Sequence, residues 1–137
     1  MRLSARNQFP GVVQSVQEGA VNGIVKIDVK GTVVTATISM AAIKELGLAP
    51  GVPAIAVIKA TEVMVGHGTF TLSARNQFVG KVASVTKGAV NSIVKIDTPA
   101  FVITATISNA AVEELALEPG VDATAVVKAT SVMVGVE

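Results

Sequence analysis

The sequence predicts a mainly all-β protein made of two tandem, small, OB-like β-barrels, each with one short helix. Three observations support this fold class: the chain repeats itself once, each repeat consists mostly of short β-branched runs, and large aromatic side chains are scarce. Half of the 137 residues are hydrophobic, and four Phe occur without any Trp or Tyr. Small β-branched side chains favour short strands over long helices.

The internal repeat sets the domain organisation. The segment Leu3–Phe9 returns letter for letter as Leu72–Phe78, and the offset holds without a gap to the end of the chain. Roughly two thirds of the aligned positions are identical, which indicates a duplicated domain rather than a solenoid. Two glycines at Gly66 and Gly68 indicate a short joint. We therefore expect a first domain at residues 1–66, a linker at 67–70 and a second domain at 71–137.

Within one repeat, the residue periodicity predicts strands on both sides of one short helix. Runs of β-branched residues mark the strands. The helix has apolar residues at one-turn spacing, with Ser39 as its N-cap and Gly47 at its end. The predicted strands are 11–16, 24–29 and 33–39, the predicted helix is 41–46, and one or two final strands cover 54–59 and 62–65.

This order of strands and helix suggests a small OB-like barrel. With fewer than about 70 residues, one such barrel has a marginal core. The apolar content is high for so small a unit, so we expect part of it to be buried between subunits.

Several classes of chemistry are disfavoured by the residues present. The chain has no Cys, which excludes a disulfide framework, a thiolate metal site and a cysteine nucleophile. Its one His, His67, falls in the predicted linker and has no counterpart in the second repeat, so no Ser-His-Asp set is duplicated. The repeated acids Asp28 and Asp97, and Glu45 and Glu114, do not cluster and are interpreted as surface charges. We therefore expect no enzyme, no cofactor and no directly coordinated metal cation.

Charge and hydropathy predict the surroundings of the protein. The formal net charge is +1, which gives no strong attraction to nucleic acid or membranes. The sequence shows no apolar signal-peptide core and no apolar run long enough to span a bilayer. We expect a soluble, cytoplasmic, free-standing protein without nucleic-acid or membrane partners.

What does repeat is a set of hydrogen-bond donors. Each copy offers Ser and Arg from Ser-Ala-Arg-Asn-Gln, Thr and Ser from Thr-Ile-Ser, and Lys from Lys-Ala-Thr. A tetrahedral oxyanion needs several charge-assisted hydrogen bonds from such donors. The residues alone leave two interpretations open: a specific anion site, or a capping Ser together with surface Arg and Lys.

Four motifs, each present twice and in the same order, resemble the Mop domain of molybdate-binding proteins. They are the Ser-Ala-Arg-Asn-Gln opening, the Gly-Ala-Val-Asn turn, Thr-Ala-Thr-Ile-Ser, and the closing Lys-Ala-Thr with Val-Met-Val-Gly. The likeness covers essentially the whole chain and is greatest to tandem-Mop molbindins of the ModG type. It implies an OB-like fold, assembly into homotrimers, and reversible binding of molybdate, with tungstate as a look-alike, for intracellular molybdenum storage and homeostasis.

The resemblance also implies two classes of oxyanion site. The residues matching the class between subunits are Ser4, Arg6, Ser39, Lys59 and Ala60, and in the second repeat Ser73, Arg75, Ser108, Lys128 and Ala129. The residues matching the class near the symmetry axis are Ala20, Val21 and Asn22, and Ala89, Val90 and Asn91. For Asn22, a purely structural role in the turn remains an equal alternative, because Asn tolerates turn conformations.

Two rival functions remain at this point. A single-strand nucleic-acid-binding OB module would need stacked aromatic residues along a basic groove, and the chain has few aromatics and little positive excess. A delivery scaffold would bind the same anion and hand it to a molybdenum-cofactor assembly protein. The repeats themselves differ at Met40 against Asn109 and at residues 29–32 against 98–101, which could make the two sets of sites unequal.

Overall fold

The computed structural model describes residues 2–68 and 70–137 and is mainly β, with two short α-helices in this part of the chain. Thr69 of the predicted linker lies outside the described residues. The elements of the first repeat are β1 (Asn7–Gln17), β2 (Asn22–Val29), β3 (Thr32–Ser39), α1 (Met40–Leu46), β4 (Pro53–Ile58) and β5 (Met64–His67). Those of the second are β6 (Asn76–Lys87), β7 (Asn91–Asp97), β8 (Val102–Ser108), α2 (Asn109–Glu114), β9 (Asp122–Val127) and β10 (Met133–Gly135).

The chain forms two compact units that exchange their last segments. One unit consists of Met1–Ile58 with Lys128–Glu137, and the other consists of Lys59–Val127. The sequence repeat and the compact unit therefore differ in which copy supplies the final strand.

The first unit is a five-stranded antiparallel sheet in the order β10-β4-β1-β2-β3. Its outer strands β10 and β3 also contact each other, so the sheet curls on itself. Curling removes the exposed edges that an open sheet would present. The predicted fold class, a mainly β chain with OB-like barrels and one short helix in each, is confirmed.

The second unit repeats this architecture with the order β5-β9-β6-β7-β8, and its outer strands β5 and β8 contact each other in the same way. In this unit the final strand comes from the first repeat. Met64 of β5 pairs with Val126 of β9, as Met133 of β10 pairs with Val57 of β4 in the first unit.

Alternation along the strands builds each core. In β2 and β3, Val25, Ile27 and Val34 are fully buried. The exchanged segment contributes Val132 to the core of the first unit, and Val63 does the same for the second. Burying such a side chain contributes about 1.5–3 kcal/mol, so each unit needs the segment of the other repeat to complete its core.

The expected Ser caps the N-terminus of the helix in each repeat. Ser39 Oγ accepts a hydrogen bond from Ala42 N at 3.1 Å, and Gly47 ends α1 with a φ of 64°. Ser108 Oγ accepts from Ala111 N at 3.1 Å in the same way. Among the described residues, no helix is long and apolar enough to cross a membrane.

Several element boundaries differ from the sequence-based expectation by one or more residues, and three of these differences have a clear structural reason. The first strand begins at Asn7 rather than at residue 11, because Asn7 and Phe9 face inward and pair with β4. The fourth ends at Ile58, because Lys59 leads into a 3₁₀ turn at Ala60–Glu62. The fifth strand runs to His67, one residue into the predicted linker.

Candidate anion-binding site

The opening motif of each repeat is a short segment held in place by its own Gln. Gln8 Nε2 donates to Leu3 O at 3.1 Å and to Ala5 O at 2.8 Å, the two carbonyls that flank Ser4. Gln77 Nε2 bonds in the same way to Leu72 O and Ala74 O, both at 3.0 Å. The exposed residues Ser4 and Ser73 are therefore fixed by side-chain to backbone bonds.

Arg6 and Lys59 are adjacent in sequence to the last residue pair of the β1–β4 ladder. Asn7 and Ile58 are cross-strand partners at the end of the β1–β4 ladder, and Asn7 Nδ2 donates to Ile58 O at 3.2 Å. Arg6 comes one residue before Asn7, and Lys59 one residue after Ile58. Both cationic side chains therefore flank the same end of this ladder.

The second repeat reproduces this arrangement. Asn76 pairs with Val127 at the end of the β6–β9 ladder, with Arg75 just before it and Lys128 just after it. Within the described residues, none of the four cations Arg6, Lys59, Arg75 and Lys128 takes part in an ion pair, and all are exposed. Each is thus available to an anion from solution.

Each Lys comes directly before a 3₁₀ turn, at Ala60–Glu62 in the first repeat and at Ala129–Ser131 in the second. Lys59 O accepts from Glu62 N, and Lys128 O accepts from Ser131 N, both at 2.9 Å. The first N–H groups of such a turn have no acceptor within it. Ala60 and Ala129 begin the turns with their methyl groups buried, so they offer only backbone donors.

The strand exchange decides which predicted residues share a unit. The turn that begins at Ala129 packs against β3, which ends in Ser39. The turn that begins at Ala60 packs against β8, which ends in Ser108. By this partition, the unit that contains Ser4, Arg6 and Ser39 includes Lys128 of the other repeat, and the unit of Ser73, Arg75 and Ser108 includes Lys59.

The two predicted classes of site meet at one strand end. Asn22, the first residue of β2, is the cross-strand partner of Ser39, the last residue of β3. In the second repeat, Asn91 and Ser108 are partners in the same way. A Ser oxygen that accepts a capping bond keeps its own hydrogen for donation to a further acceptor.

The Gly-Ala-Val-Asn turns present their tips to solvent. Val21 is 73% exposed and Val90 is 72% exposed. A Cβ at Gly19 would collide with the carbonyl oxygen of Asn22, so this close approach requires glycine. The backbone of each turn is joined to the following helix, since Met40 N donates to Val21 O at 2.8 Å.

The positioning roles of Asn7, Gln8 and their counterparts were not predicted from the sequence. The sequence did contain a signal for these roles, because Asn-Gln lies inside the longest segment that repeats letter for letter although both residues are polar. Polar residues that are identical in both repeats and adjacent to candidate donors indicate side chains that position those donors.

Other polar groups stand apart from these residues. His67 is exposed at the end of β5, opposite Ala123. Lys81 and Asp122 form a surface pair at 2.7 Å, and this hydrogen bond lowers the pKa of the Asp122 carboxyl. The described part of the chain contains no group of three His, Cys, Asp or Glu residues that could hold a metal ion.

One known protein family matches both repeats. The TOBE domain family matches residues 3–65 and residues 72–134. The chain belongs to the TOBE domain family. Its two TOBE domains coincide with the two sequence repeats, and the predicted tandem Mop-domain character is confirmed by the relatives described next.

Curated relatives of this TOBE chain carry names that refer to molybdenum. It is 42% identical to the molybdenum transport protein ModE of Herbaspirillum seropedicae over 100% of its own length and 52% of ModE. It is 55% identical to a probable molybdenum-pterin-binding protein of Haemophilus influenzae over 48% of its own length and 97% of that protein. The chain thus spans about half the length of ModE, and one TOBE repeat spans nearly all of the smaller relative.

A solved structure matches the chain from end to end. The cytoplasmic molybdate-binding protein ModG, crystallised with molybdate bound, superimposes with a TM-score of 0.96 at 39% identity, covering 100% of both chains. Each TOBE domain therefore has the same fold in the two proteins.

Proposed function

We propose that this protein binds molybdate reversibly, in a binding rather than a catalytic role, and serves intracellular molybdenum storage and homeostasis. The observation that carries the proposal is the full-length match to molybdate-bound ModG, combined with exposed cations outside any ion pair and exposed Ser hydroxyls that recur in both repeats of the described chain. By the same likeness, we place the protein in the cytoplasm.

The first class of site is proposed to use the repeated Ser, Arg and Lys donors, together with the backbone of the Ala that follows each Lys. We assign it to Ser4, Arg6, Ser39, Lys59 and Ala60, with Ser73, Arg75, Ser108, Lys128 and Ala129. Arg and Lys add charge-assisted hydrogen bonds, which are about twice as strong as neutral ones. The backbone donors at Ala60 and Ala129 would complete the shell around the anion.

The second class of site consists of the two turn tips. We assign it to Ala20, Val21 and Asn22, and to Ala89, Val90 and Asn91. Backbone N–H groups in turns form concave anion sites without any side-chain charge.

The donor set favours molybdate over phosphate. Molybdate is a dianion without a proton at neutral pH, whereas hydrogen phosphate has a hydroxyl that requires an acceptor. A site in which Arg, Lys and backbone N–H groups supply most of the contacts offers few acceptors to that hydroxyl, which costs affinity for hydrogen phosphate. Tungstate has the same charge and shape as molybdate and is expected to bind almost equally.

Self-association is part of the proposal. Four apolar positions are exposed to a similar extent in both repeats. We infer that each repeat uses the same surface to contact another subunit. They are Leu3 and Leu72, Val21 and Val90, Val33 and Val102, and Met64 and Met133. Repeated exposed apolar residues are typical of protein interfaces. We propose a homotrimer in which the sites of the first class lie between subunits.

Isothermal titration of the full chain tests the function directly. Molybdate and tungstate are expected to release heat with several anions bound per oligomer, while sulfate and phosphate serve as controls. Light scattering on the same sample gives the mass of the oligomer. A folded oligomer that gives no heat with molybdate would refute the proposed function.

A pair of double variants tests the first class of site. Arg6→Ala with Arg75→Ala removes one cation from each copy and is expected to lower molybdate affinity about a hundred-fold, since charged hydrogen bonds contribute about 1.5–3 kcal/mol. Lys26→Ala with Lys95→Ala is the matched control, because these repeated lysines are equally exposed and lie on β2 and β7. Equal affinity losses in both double variants would refute the assignment.

The aromatic residues argue against a nucleic-acid-binding function. Phe9 and Phe78 are buried, at 7% and 5% exposure, and Phe101 packs edge-on against Phe78. Single-strand binding by OB folds relies on exposed aromatic rings that stack on bases. We therefore expect no salt-sensitive retention of an oligonucleotide by this protein.

A further inference from the structure

The two Gly-Ala-Val-Asn turns have the same sequence, but different side chains pack beside them. The two repeats differ at three positions that lie close to the turn. The first repeat has Gly23, Met40 and Ile43, and the second has Ser92, Asn109 and Val112. These three replacements occur together around one small volume, as the contacts below show.

In the second repeat, a polar network reaches the turn. Asn109 Nδ2 donates to Gly88 O, the carbonyl of the first turn residue, at 3.0 Å. Asn109 Oδ1 accepts from Ser92 Oγ, whose side chain is almost fully buried. Because both ends of the Asn109 amide are bonded, its orientation is fixed and it ties the turn to α2.

In the first repeat, apolar atoms fill the same volume. A Cβ at Gly23 would lie 2.5 Å from Ile43 Cδ1 and 2.9 Å from Met40 Sδ, so a Ser could not be accommodated there without change. Val112 lacks the Cδ1 methyl group, which makes room for Ser92. The Met40 thioether has no hydrogen to donate to Gly19 O.

The strand ladder below the second turn is also longer. It extends to the pair Lys87–Ser92, and Gly88 N then donates to Asn91 O at 2.9 Å. The corresponding ladder of the first repeat ends at the pair Gln17–Ile24. Side-chain and backbone bonds thus both hold the second turn more firmly.

We propose that Ser92 and Asn109 are positioning residues that order the Ala89–Asn91 turn in advance, so that this turn takes molybdate before the first turn does. The inference rests on the proposed function and assigns an order of filling to its second class of site. A turn that is already ordered loses less conformational freedom when its N–H groups close on an anion. One or two extra hydrogen bonds correspond to an affinity difference of about three- to ten-fold between the turns.

Two reciprocal triple variants of the full chain test this inference. Ser92→Gly, Asn109→Met and Val112→Ile give the second turn the support of the first, and Gly23→Ser, Met40→Asn and Ile43→Val do the reverse. Each combination already packs in the other repeat, so both variants are expected to fold. The probes are molybdate titration and amide hydrogen exchange at residues 20–22 and 89–91 without anion.

In the wild type, residues 89–91 are expected to exchange more slowly than residues 20–22. The first variant should remove this difference and weaken the tighter turn site about three- to ten-fold. The second should slow exchange at residues 20–22 and strengthen the weaker site by a similar factor.

The outcomes separate this inference from the proposed function. If the wild type binds no molybdate, the proposed function fails and the order of filling fails with it. If the wild type binds and both variants give the wild-type isotherm, the positioning role alone is refuted. A change in melting temperature without any change in affinity would also refute it, since a merely structural role predicts that result.

Discussion

The two ends of the β2–β3 ladder differ in how closely the repeats agree. At one end, Asn22 pairs with Ser39, and the second repeat has the same two residue types at Asn91 and Ser108. At the other end, the hairpin 29–32 reads Val-Lys-Gly-Thr, whereas residues 98–101 read Thr-Pro-Ala-Phe. The same ladder is thus closed by two different turns.

Each hairpin has its own means of reversal. In the first, Lys30 and Gly31 have φ values of 49° and 90°, and Asp28 Oδ1 accepts from Gly31 N at 2.9 Å. In the second, Thr98 Oγ1 donates to Phe101 O at 2.7 Å, and the Phe101 ring packs on Phe78 with centroids 5.1 Å apart.

The comparison indicates what constrains each end. A hairpin only has to reverse the chain, and several turn chemistries do this equally well. The Asn-Ser end keeps its letters because, in the proposed function, its donors have to meet an anion as well as cap a helix. Four predictions are given in order of decreasing expected effect, and the first two test this division directly.

The largest effect is expected from charge at the Asn-Ser end. Ser39→Asp with Ser108→Asp keeps the helix caps, because Asp caps as well as Ser. A carboxylate there repels the dianion, so molybdate affinity should fall about a hundred-fold or more while the melting temperature stays near the wild-type value. Titration and thermal unfolding measure the two quantities.

The control for this variant is Ser39→Thr with Ser108→Thr, which retains a hydroxyl at both positions and should retain binding. Undiminished affinity in the Asp variant would mean that these serines are caps and nothing more.

At the hairpin end, Phe101→Ala is expected to affect stability alone. Removing a half-buried ring that packs on Phe78 should lower the free energy of unfolding by about 2 kcal/mol. Molybdate affinity should not change. The matched control is Thr32→Ala, the equivalent position of the first hairpin, for which denaturant unfolding should show a clearly smaller loss.

A smaller effect on affinity is expected from the segment that carries Ser4. Gln8→Met with Gln77→Met keeps the length of both side chains but removes the bonds to the carbonyls flanking Ser4 and Ser73. Affinity should fall about three- to ten-fold, the equivalent of one or two hydrogen bonds. Gln14→Met on the exposed face of β1 is the control, and an equal loss there would contradict the positioning role.

The smallest effect is expected from the surface pair Lys81–Asp122, which replaces Val12–Pro53 of the first repeat. The Lys81 hydrogen bond holds the pKa of Asp122 below its usual value of 3.8. Its stabilisation is therefore complete above pH 3.8 and is lost as the pH falls through the lowered value. Lys81→Ala should slightly reduce stability at neutral pH and weaken its dependence on acid, and a stronger acid dependence would contradict this.

Much of the fold was predictable because its signals are local. Ser39 before an apolar helical pattern predicts the cap of α1, and Gly47 predicts its end, with the left-handed φ that glycine favours. The early start of β1 was not predictable from local pattern alone. It depends on the pairing of Asn7 with Ile58, 51 residues further along the chain.

The exchange of final segments could not be predicted for a different reason. Residues 59–61 and residues 128–130 have the same three letters, Lys-Ala-Thr, so either segment offers the same contacts to either barrel. The local sequence therefore does not distinguish the two pairings. The repetition of the candidate donor residues makes them visible in the sequence, but the same identity hides which copy belongs to which unit.

The exchange has a consequence for the order in which the protein is made. The unit Lys59–Val127 is continuous in sequence and can close as soon as those residues have emerged from the ribosome. The other unit begins earlier but requires Val132 and β10, so its first 58 residues wait until the second barrel has been synthesised. Domains generally fold as units during synthesis, and long-range closure is slow. The barrel whose synthesis begins first is therefore the one that is completed last.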